Sequence, residues 1–445
     1  MKFHIFTFGC QMNVCDSEWI ERSLIARGWQ AVPEDEARVF LINTCSVREK
    51  PEQKVYSLLG RLQKSSRNRA ETCVAVGGCV AQQVGQDFWR RFPQVRLVFG
   101  PDGVASVPDS LERLLAQPDL RISLLDFEES YLEREAVPHN ANASPRAFVN
   151  IMQGCDNFCA YCIVPFTRGR QKSRPSGKIV QECRNLIGAG VKEITLLGQN
   201  VNSYGLDAGG DGTGFAELLE TICSLPGLRR LRFTTSHPKD LAPEVIEAFR
   251  RFPVLCPGLH LPLQSGSNRI LKRMNRHYIR ESYLQLIQDL RLARPDIALS
   301  TDIIVGFPGE TEADFQQTLD LVQTVGFDSS FSFNYSDRPG VRAALFQDKI
   351  PEADKSRRLS LLQKEQDRLT QASLQGLVGR TLEVLVEGPS SKTLPGREPS
   401  WMGREPGGRI VNFPVPGRQD LTGALIRVKI VDAKKHSVFG EVDNT

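Results

Sequence analysis

Histidine, methionine and tryptophan are scarce in this chain of 445 residues: six His, five Met and four Trp. A metal centre built mainly on imidazole has little to draw on. No apolar run approaches the roughly 20 residues that cross a bilayer, which excludes a membrane-spanning helix. The first ten residues hold one Lys and a short aromatic run but no small-residue cleavage site. No export signal is therefore expected, and the chain is expected to be cytoplasmic. Strong charge of either sign is missing too: 56 Lys and Arg against 52 Asp and Glu leave a net +4. That excess does not by itself mark a nucleic-acid-binding protein.

Cysteine runs against this scarcity, with eleven residues, an odd count. Disulfide frameworks belong to small secreted domains, so reduced thiols are expected here, several committed to metal. Cys15, Cys73, Cys183, Cys223 and Cys256 fit no pattern and read as small buried hydrophobes. The length exceeds one compact core and predicts two or three domains.

Cys155, Cys159 and Cys162 stand at C-x3-C-x2-C spacing, just after an apolar run, residues 147–152, that reads as a strand. Such a loop can wrap three thiolates around one inorganic cluster. A closed zinc site takes four ligands. A cubane iron–sulfur cluster has four irons, and three cysteines leave one of them without a protein ligand. An open metal position is where a substrate or cosubstrate binds. A three-cysteine zinc knuckle completed by a distant His is the alternative.

Before this loop, strand-like runs at 2–8, 39–42, 74–76 and 97–99 alternate with helical patterns at 16–27, 47–62 and 80–92, which predicts a doubly wound parallel sheet over 1–118. Cys10, Cys45 and Cys79 each fall just past the end of a predicted strand, the edge where open α/β sheets bind ligands. They converge on one site, or they are three unrelated buried cysteines. Residues 119–144 turn acidic and then polar and read as a linker. Residues 145–376 hold six strand–helix units, a partial (βα)6 barrel open on one side. Residues 377–445 change to short alternating strands punctuated by Gly and Pro, which suit a small antiparallel barrel of about five strands. Arg168, Arg170, Lys172 and Arg174 form a basic strip without an intervening acid, a candidate phosphate contact beside the cluster. A second basic run, containing Arg273 and Arg276 with an aromatic beside them, suits an RNA backbone. A solvated surface explains either run equally.

The cysteine loop, with aromatic Tyr161 before its last cysteine, resembles the radical S-adenosylmethionine (SAM) superfamily. In that superfamily the open iron chelates SAM, and one electron cleaves it to a 5′-deoxyadenosyl radical. Residues 8–13 (FGCQMN), 42–50 (INTCSVREK) and 77–79 (GGC) look like the three motifs of the methylthiotransferase N-terminal domain. That resemblance implies a second cluster on Cys10, Cys45 and Cys79, whose open iron carries the sulfur to be methylated and transferred. Residues 196–204 (LLGQNVNSY), 260–267 (HLPLQSGS) and 334–340 (NYSDRPG) resemble the methylthiotransferases that act on transfer RNA, and the Gln-Met-Asn after Cys10 favours that branch over the one acting on a ribosomal protein. Val341-Arg342 departs from the Thr-Pro pair expected there. The order of 386–388, 403–404, 412–413 and 440–441 resembles the TRAM domain, an RNA-binding module.

The resemblance implies two 4Fe–4S clusters, SAM, and a methylthio group placed on carbon 2 of N6-isopentenyladenosine beside the anticodon of a tRNA. A reductant protein would deliver electrons, no membrane would be involved, and the chain would work as a monomer. Gln199, Ser236 and Gln264, at strand ends, and Tyr161 are the expected SAM contacts. The same chemistry on threonylcarbamoyladenosine or a ribosomal protein is the near alternative. An RNA-binding protein with a structural cluster and a zinc-stabilised interaction protein are the distant ones.

Overall fold

The computed structural model describes residues 1–46, 49–66, 72–137, 144–390, 400–415 and 420–443. Val47 and Arg48 of the second cysteine motif, and 138–143 of the expected linker, lie outside these residues.

The chain opens with β1 (Lys2–Thr7), α1 (Gln11–Ala26), β2 (Gln30–Ala31), β3 (Val39–Thr44), α2 (Glu49–Ser66), β4 (Cys73–Gly78), α3 (Cys79–Val84), α4 (Asp87–Arg91), β5 (Val95–Phe99), α5 (Val107–Ala116) and β6 (Ile122–Leu124). The strands form one parallel sheet in the order β2-β1-β3-β4-β5-β6. β3 and β4 are buried at every position, as strands covered on both faces must be. Val39, Leu41, Cys73 and Ala75 pack on one side with Trp19 and Leu24 of α1 and Leu111 of α5. Phe40, Ile42, Val74 and Val76 pack on the other with Val55 and Leu59 of α2 and Phe88 of α4. The sheet is doubly wound, and its order reverses between β1 and β3. A ligand in such a sheet binds at that reversal, beyond the carboxyl ends of the strands.

Two features differ from the sequence reading. The helix expected over 80–92 is two helices, broken at Gly85, whose φ of +61° leaves the right-handed helical region. The expected linker contributes β6 to the sheet edge, and its next residues run between the domains as an ordered strap.

The second unit contains β7 (Arg146–Asn150), a two-stranded hairpin of β8 (Met152–Gln153) and β9 (Lys172–Ser173) around α6 (Val164–Thr167), then α7 (Ser176–Gly188), β10 (Glu193–Leu197), α8 (Phe215–Cys223), β11 (Arg230–Phe233), α9 (Pro243–Arg251), β12 (Gly258–His260), α10 (Asn268–Arg273), α11 (Arg280–Ala293), β13 (Ala298–Val305), α12 (Glu312–Val325) and β14 (Ser329–Asn334). Parallel sheets β7-β10-β11 and β12-β13-β14 meet at a bridge between Leu231 and Leu255, giving a six-stranded partial barrel. The run expected as one strand over 147–152 is split at Ile151 between β7 and β8.

After α13 (Glu352–Gln375), strands β15 (Thr381–Pro389), β16 (Ser400–Arg404), β17 (Ile410–Pro414), β18 (Leu425–Ala433) and β19 (Val438–Val442) close a small barrel. It docks on the starts of the large barrel's strands. Buried Arg230, the first residue of β11, donates to Arg404 O and Glu383 O, both at 2.8 Å. Glu387 pairs with Arg146 at 3.0 Å and with Arg404 at 3.0 Å. The small barrel and the cysteine loop therefore sit at opposite ends of the strands.

Candidate active site

The loop from Cys155 to Cys162 is held by its backbone. Gly154 has φ +79°, and a Cβ there would collide with Arg170 O, so glycine is required. Its N–H donates to Gln199 Oε1 at 2.6 Å. Phe158 takes a left-handed φ of +44°, a conformation that is costly for a bulky residue. Asn275 holds it there, with Nδ2 donating to Phe158 O at 3.0 Å and Asn157 O at 3.2 Å. The loop closes with Cys162 N donating to Cys159 O at 2.9 Å. Arg276 Nη1 lies 3.6 Å from Cys159 Sγ. Burial pushes the Cys162 thiol up to about 12, and the neighbouring Cys159 and Cys155 thiols push the same way. Burial likewise raises Cys155. The three sulfurs thus sense one another, and a bound cation must displace the protons that burial holds on Cys155 and Cys162.

The second set gathers at the strand reversal. Cys10 caps α1 after β1, Cys45 follows β3, and Cys79 opens α3 after β4. A Cβ on Gly9 would lie 2.8 Å from Cys45 Cβ, so the first two cysteines are in close approach. A hydrogen bond from Cys45, aided by the Arg168 charge, depresses the Cys10 thiol to about 5 despite the opposing effect of its surroundings. Asn13 and Asn43 knit the set together. Asn13 Nδ2 donates to Asn43 Oδ1 at 2.8 Å and Thr44 O at 3.0 Å, and Asn13 Oδ1 accepts from Cys10 Sγ at 3.2 Å. Gly78, at φ +86°, has no room for a Cβ against Thr44 O.

Among the described residues no three His, Cys, Asp or Glu side chains lie close enough to hold a single metal ion. A lone zinc needs four donors at about 2.0–2.3 Å. A cubane spaces its thiolates more widely, and soft sulfur donors suit it. Both three-cysteine sets have the right donors for a cluster with one open iron.

The domains that carry the two sets meet beside them. Gln199 Nε2 contacts Met12 Sδ, which also lies 3.8 Å from Arg168 Nη1. α3 packs against α6, and α1 against β7.

Around the loop, the strand ends present buried polar atoms without partners: Asn150 Oδ1, Asn202 Oδ1 and Nδ2, Ser236 Oγ, His237 Nε2 and Asn334 Oδ1. Unpartnered buried polar atoms are expensive, and such a ring calls for a polar ligand. Burial drives the His237 pKa down to about 2, so the ring is neutral. Its Nδ1 accepts from Lys239 N at 3.2 Å, which leaves the proton on Nε2 as a free donor.

Of the SAM contacts expected from sequence, Ser236 belongs to this ring. Gln199 bridges Gly154 and Met12. Gln264 has φ +68° and bonds through its backbone to Asp302 O and Ile304 N, at 2.8 and 3.0 Å. Tyr161 packs with Ile270, Met274 and Phe307. Asn13, Asn43, Asn202 and His237 lie inside motifs or polar runs that were legible, but nothing local distinguished them from ordinary loop residues. Asn150 carried no signal.

The basic strips need correction as RNA contacts. Arg168, Lys172, Arg174 and Arg276 are only 3–8% exposed. Lys172 Nζ pairs with both oxygens of Asp102 at 2.7 Å. Arg174 spans Glu133 at 2.8 Å and Glu182 at 2.7 Å. Lys172 and Arg174 join the strap and first domain to the barrel, and a buried cation turned inward is not a phosphate contact. Arg170 is exposed but paired with Asp156 at 2.7 Å and lies over the Phe158 ring. Arg273 pairs with Asp348 at 2.8 Å.

Three families match successive parts of the chain: the uncharacterized protein family UPF0004 over residues 2–100, the Radical SAM superfamily over 149–322 and the TRAM domain over 375–442. A tRNA-2-methylthio-N(6)-dimethylallyladenosine synthase of Nitratidesulfovibrio vulgaris (strain Hildenborough) is 59% identical, covering 99% of this chain and 98% of its own. Proteins of the same description from Oleidesulfovibrio alaskensis and Moorella thermoacetica are 56% and 45% identical with the same coverage. In fold, the chain is similar to the radical SAM methyltransferase TsrM from Kitasatospora setae, at TM-score 0.56 and 14% identity over 77% of this chain and 74% of that one. Identity on this scale, along nearly the whole length, shows that the chain belongs to the tRNA-2-methylthio-N(6)-dimethylallyladenosine synthase family of radical SAM methylthiotransferases.

Proposed function

We propose that this chain adds a methylthio group to carbon 2 of N6-isopentenyladenosine beside the anticodon of tRNA. One observation carries the reading: the domains bearing the two three-cysteine sets meet at Met12, which touches Arg168 and Gln199, in a chain whose relatives across its full length bear that name. Two 4Fe–4S clusters and SAM would supply the sulfur, the methyl group and the radical that removes the ring hydrogen. That chemistry fits the task, because an aromatic C–H has no acidity a side-chain base could use.

The chain's own residues do the placing. Cys155, Cys159 and Cys162 hold one cluster, with Gly154 and Asn275 fixing the loop. Cys10, Cys45 and Cys79 hold the other, locked by Asn13 and Asn43. Asn202, Ser236 and His237 offer neutral donors and acceptors to SAM, with Gln199, Gln264 and Tyr161 around it. The TRAM barrel, at the far end of the strands, engages tRNA away from the reacting base. No helix among the described residues is long and apolar enough to cross a membrane. The reading places the chain in the cytoplasm, as a monomer served by a reductant protein.

Nucleosides from cells with and without the gene test the assignment. Deletion is expected to abolish 2-methylthio-N6-isopentenyladenosine and to accumulate N6-isopentenyladenosine. Unchanged methylthiolation would overturn it.

A further inference from the structure

Arg168 is a buried cation that this reaction leaves without a task. It follows α6, which packs on α3, the helix that opens with Cys79. Its side chain reaches into the first turns of α1, the helix capped by Cys10. Nη1 lies 3.8 Å from Met12 Sδ, and Nη2 lies 3.9 Å from Asp16 Oδ2, yet Nη2 makes no hydrogen bond. Asp16 Oδ2 is too far away to accept from it, and Asp16 is held by Arg134, at 2.5 Å from its other oxygen. A residue of the Cys155 domain therefore brings an unmade N–H, with only 3% exposure, between the two helix starts that carry Cys10 and Cys79. Burial opposes the charge, while Cys79, Cys10, Asp16 and Cys45 favour it. Leaving such a donor unmade is costly, and a sulfur placed between the two helix starts would satisfy it.

We propose that Arg168 is a positioning residue for the second cluster: it donates from the Cys155 domain to the sulfurs held by Cys10, Cys45 and Cys79, orients that cluster toward the Cys155 domain and makes it easier to reduce. Hydrogen bonds to the sulfurs and nearby positive charge raise the potential of an iron–sulfur centre, because they stabilise the added electron. The inference rests on reading Cys10, Cys45 and Cys79 as cluster ligands.

The test uses the full chain with Cys155, Cys159 and Cys162 changed to Ala, reconstituted with iron and sulfide, so that only the second cluster remains. Iron and sulfide are counted, and the midpoint potential is read by an EPR-monitored titration. Arg168→Gln is expected to shift the potential to more negative values and to speed iron loss to a chelator several-fold. Arg168→Lys, which keeps the charge, is expected to stay near the parent. Asp16→Asn loosens the same domain contact but removes an anion, so its potential is expected not to fall. An unchanged potential in Arg168→Gln overturns the inference alone. So does a fall in Asp16→Asn as large as in Arg168→Gln, which would mark a packing effect. If Arg168→Gln holds no iron, Arg168→Lys decides: parent-like iron and potential support the inference, and equal loss of iron overturns it. A parent that binds no cluster overturns both the inference and the two-cluster reading.

Discussion

Single thiols differ sharply in what their surroundings make of them. Cys10, depressed to about 5, is a thiolate at neutral pH in the apo chain, whereas Cys162, raised to about 12, is a thiol. The two have opposite linkage to stability. Below pH 9 an unfolded Cys10 binds a proton that the folded one has lost, so its contribution to stability grows as pH rises from about 5 to 9. Above pH 9 an unfolded Cys162 ionises while the folded one does not, so its effect reverses between about 9 and 12. Alkylation of apo protein at pH 7, followed by peptide mass spectrometry, is expected to label Cys10 before Cys162; equal labelling would refute the assignment. In the reconstituted protein, Cys45→Ala is expected to lower iron by roughly four atoms per chain. It should also abolish methylthio transfer while 5′-deoxyadenosine still forms from SAM. Full iron content in that variant would remove Cys45 from the ligand set.

At the scale of elements, turns after parallel strands aim the cysteines. The β4–α3 turn is tightly constrained, because Gly78 combines φ +86° with a backbone oxygen where a Cβ would go. Gly78→Ala is expected to destabilise the apo chain by about 2–4 kcal/mol, from left-handed strain plus the clash, and to reduce cluster loading through displaced Cys79. Thermal unfolding and iron content check this; a wild-type melting temperature would show that the turn relaxes freely. Much of this level was legible. Alternating strands and helices predicted the parallel sheet and the six-unit barrel, because side-chain periodicity is a local property. The break at Gly85 and the strand β6 were not, since one depends on a single backbone angle and the other on a neighbouring strand edge.

Across the whole molecule, buried ion pairs join the domains. Lys172, 4% exposed, meets Asp102 from the segment after β5, and Arg174 meets Glu133 of the strap. Removing one partner of a buried pair strands the other, at a cost of about 3–5 kcal/mol, whereas replacing both with apolar residues is near neutral. Lys172→Met is therefore expected to loosen the contact between the first domain and the barrel, read as faster hydrogen exchange in residues 122–137. The double variant Lys172→Met/Asp102→Leu should recover most of the protection. If the single variant exchanges like wild type, the pair does not hold the interface.

Short-range spacing already determined the loop chemistry: three thiols within eight residues must share a neighbourhood whatever the rest of the chain does. The order of the elements likewise determined which edge of each sheet would carry ligands. Tertiary structure alone decided whether Cys10, Cys45 and Cys79 meet, because contact between residues more than thirty positions apart depends on strand order. It also decided the fate of Arg168, Lys172 and Arg174. A run of cations looks the same in sequence whether it faces solvent or a buried carboxylate, and only the packed partner chooses between a surface for phosphate and a seam between domains.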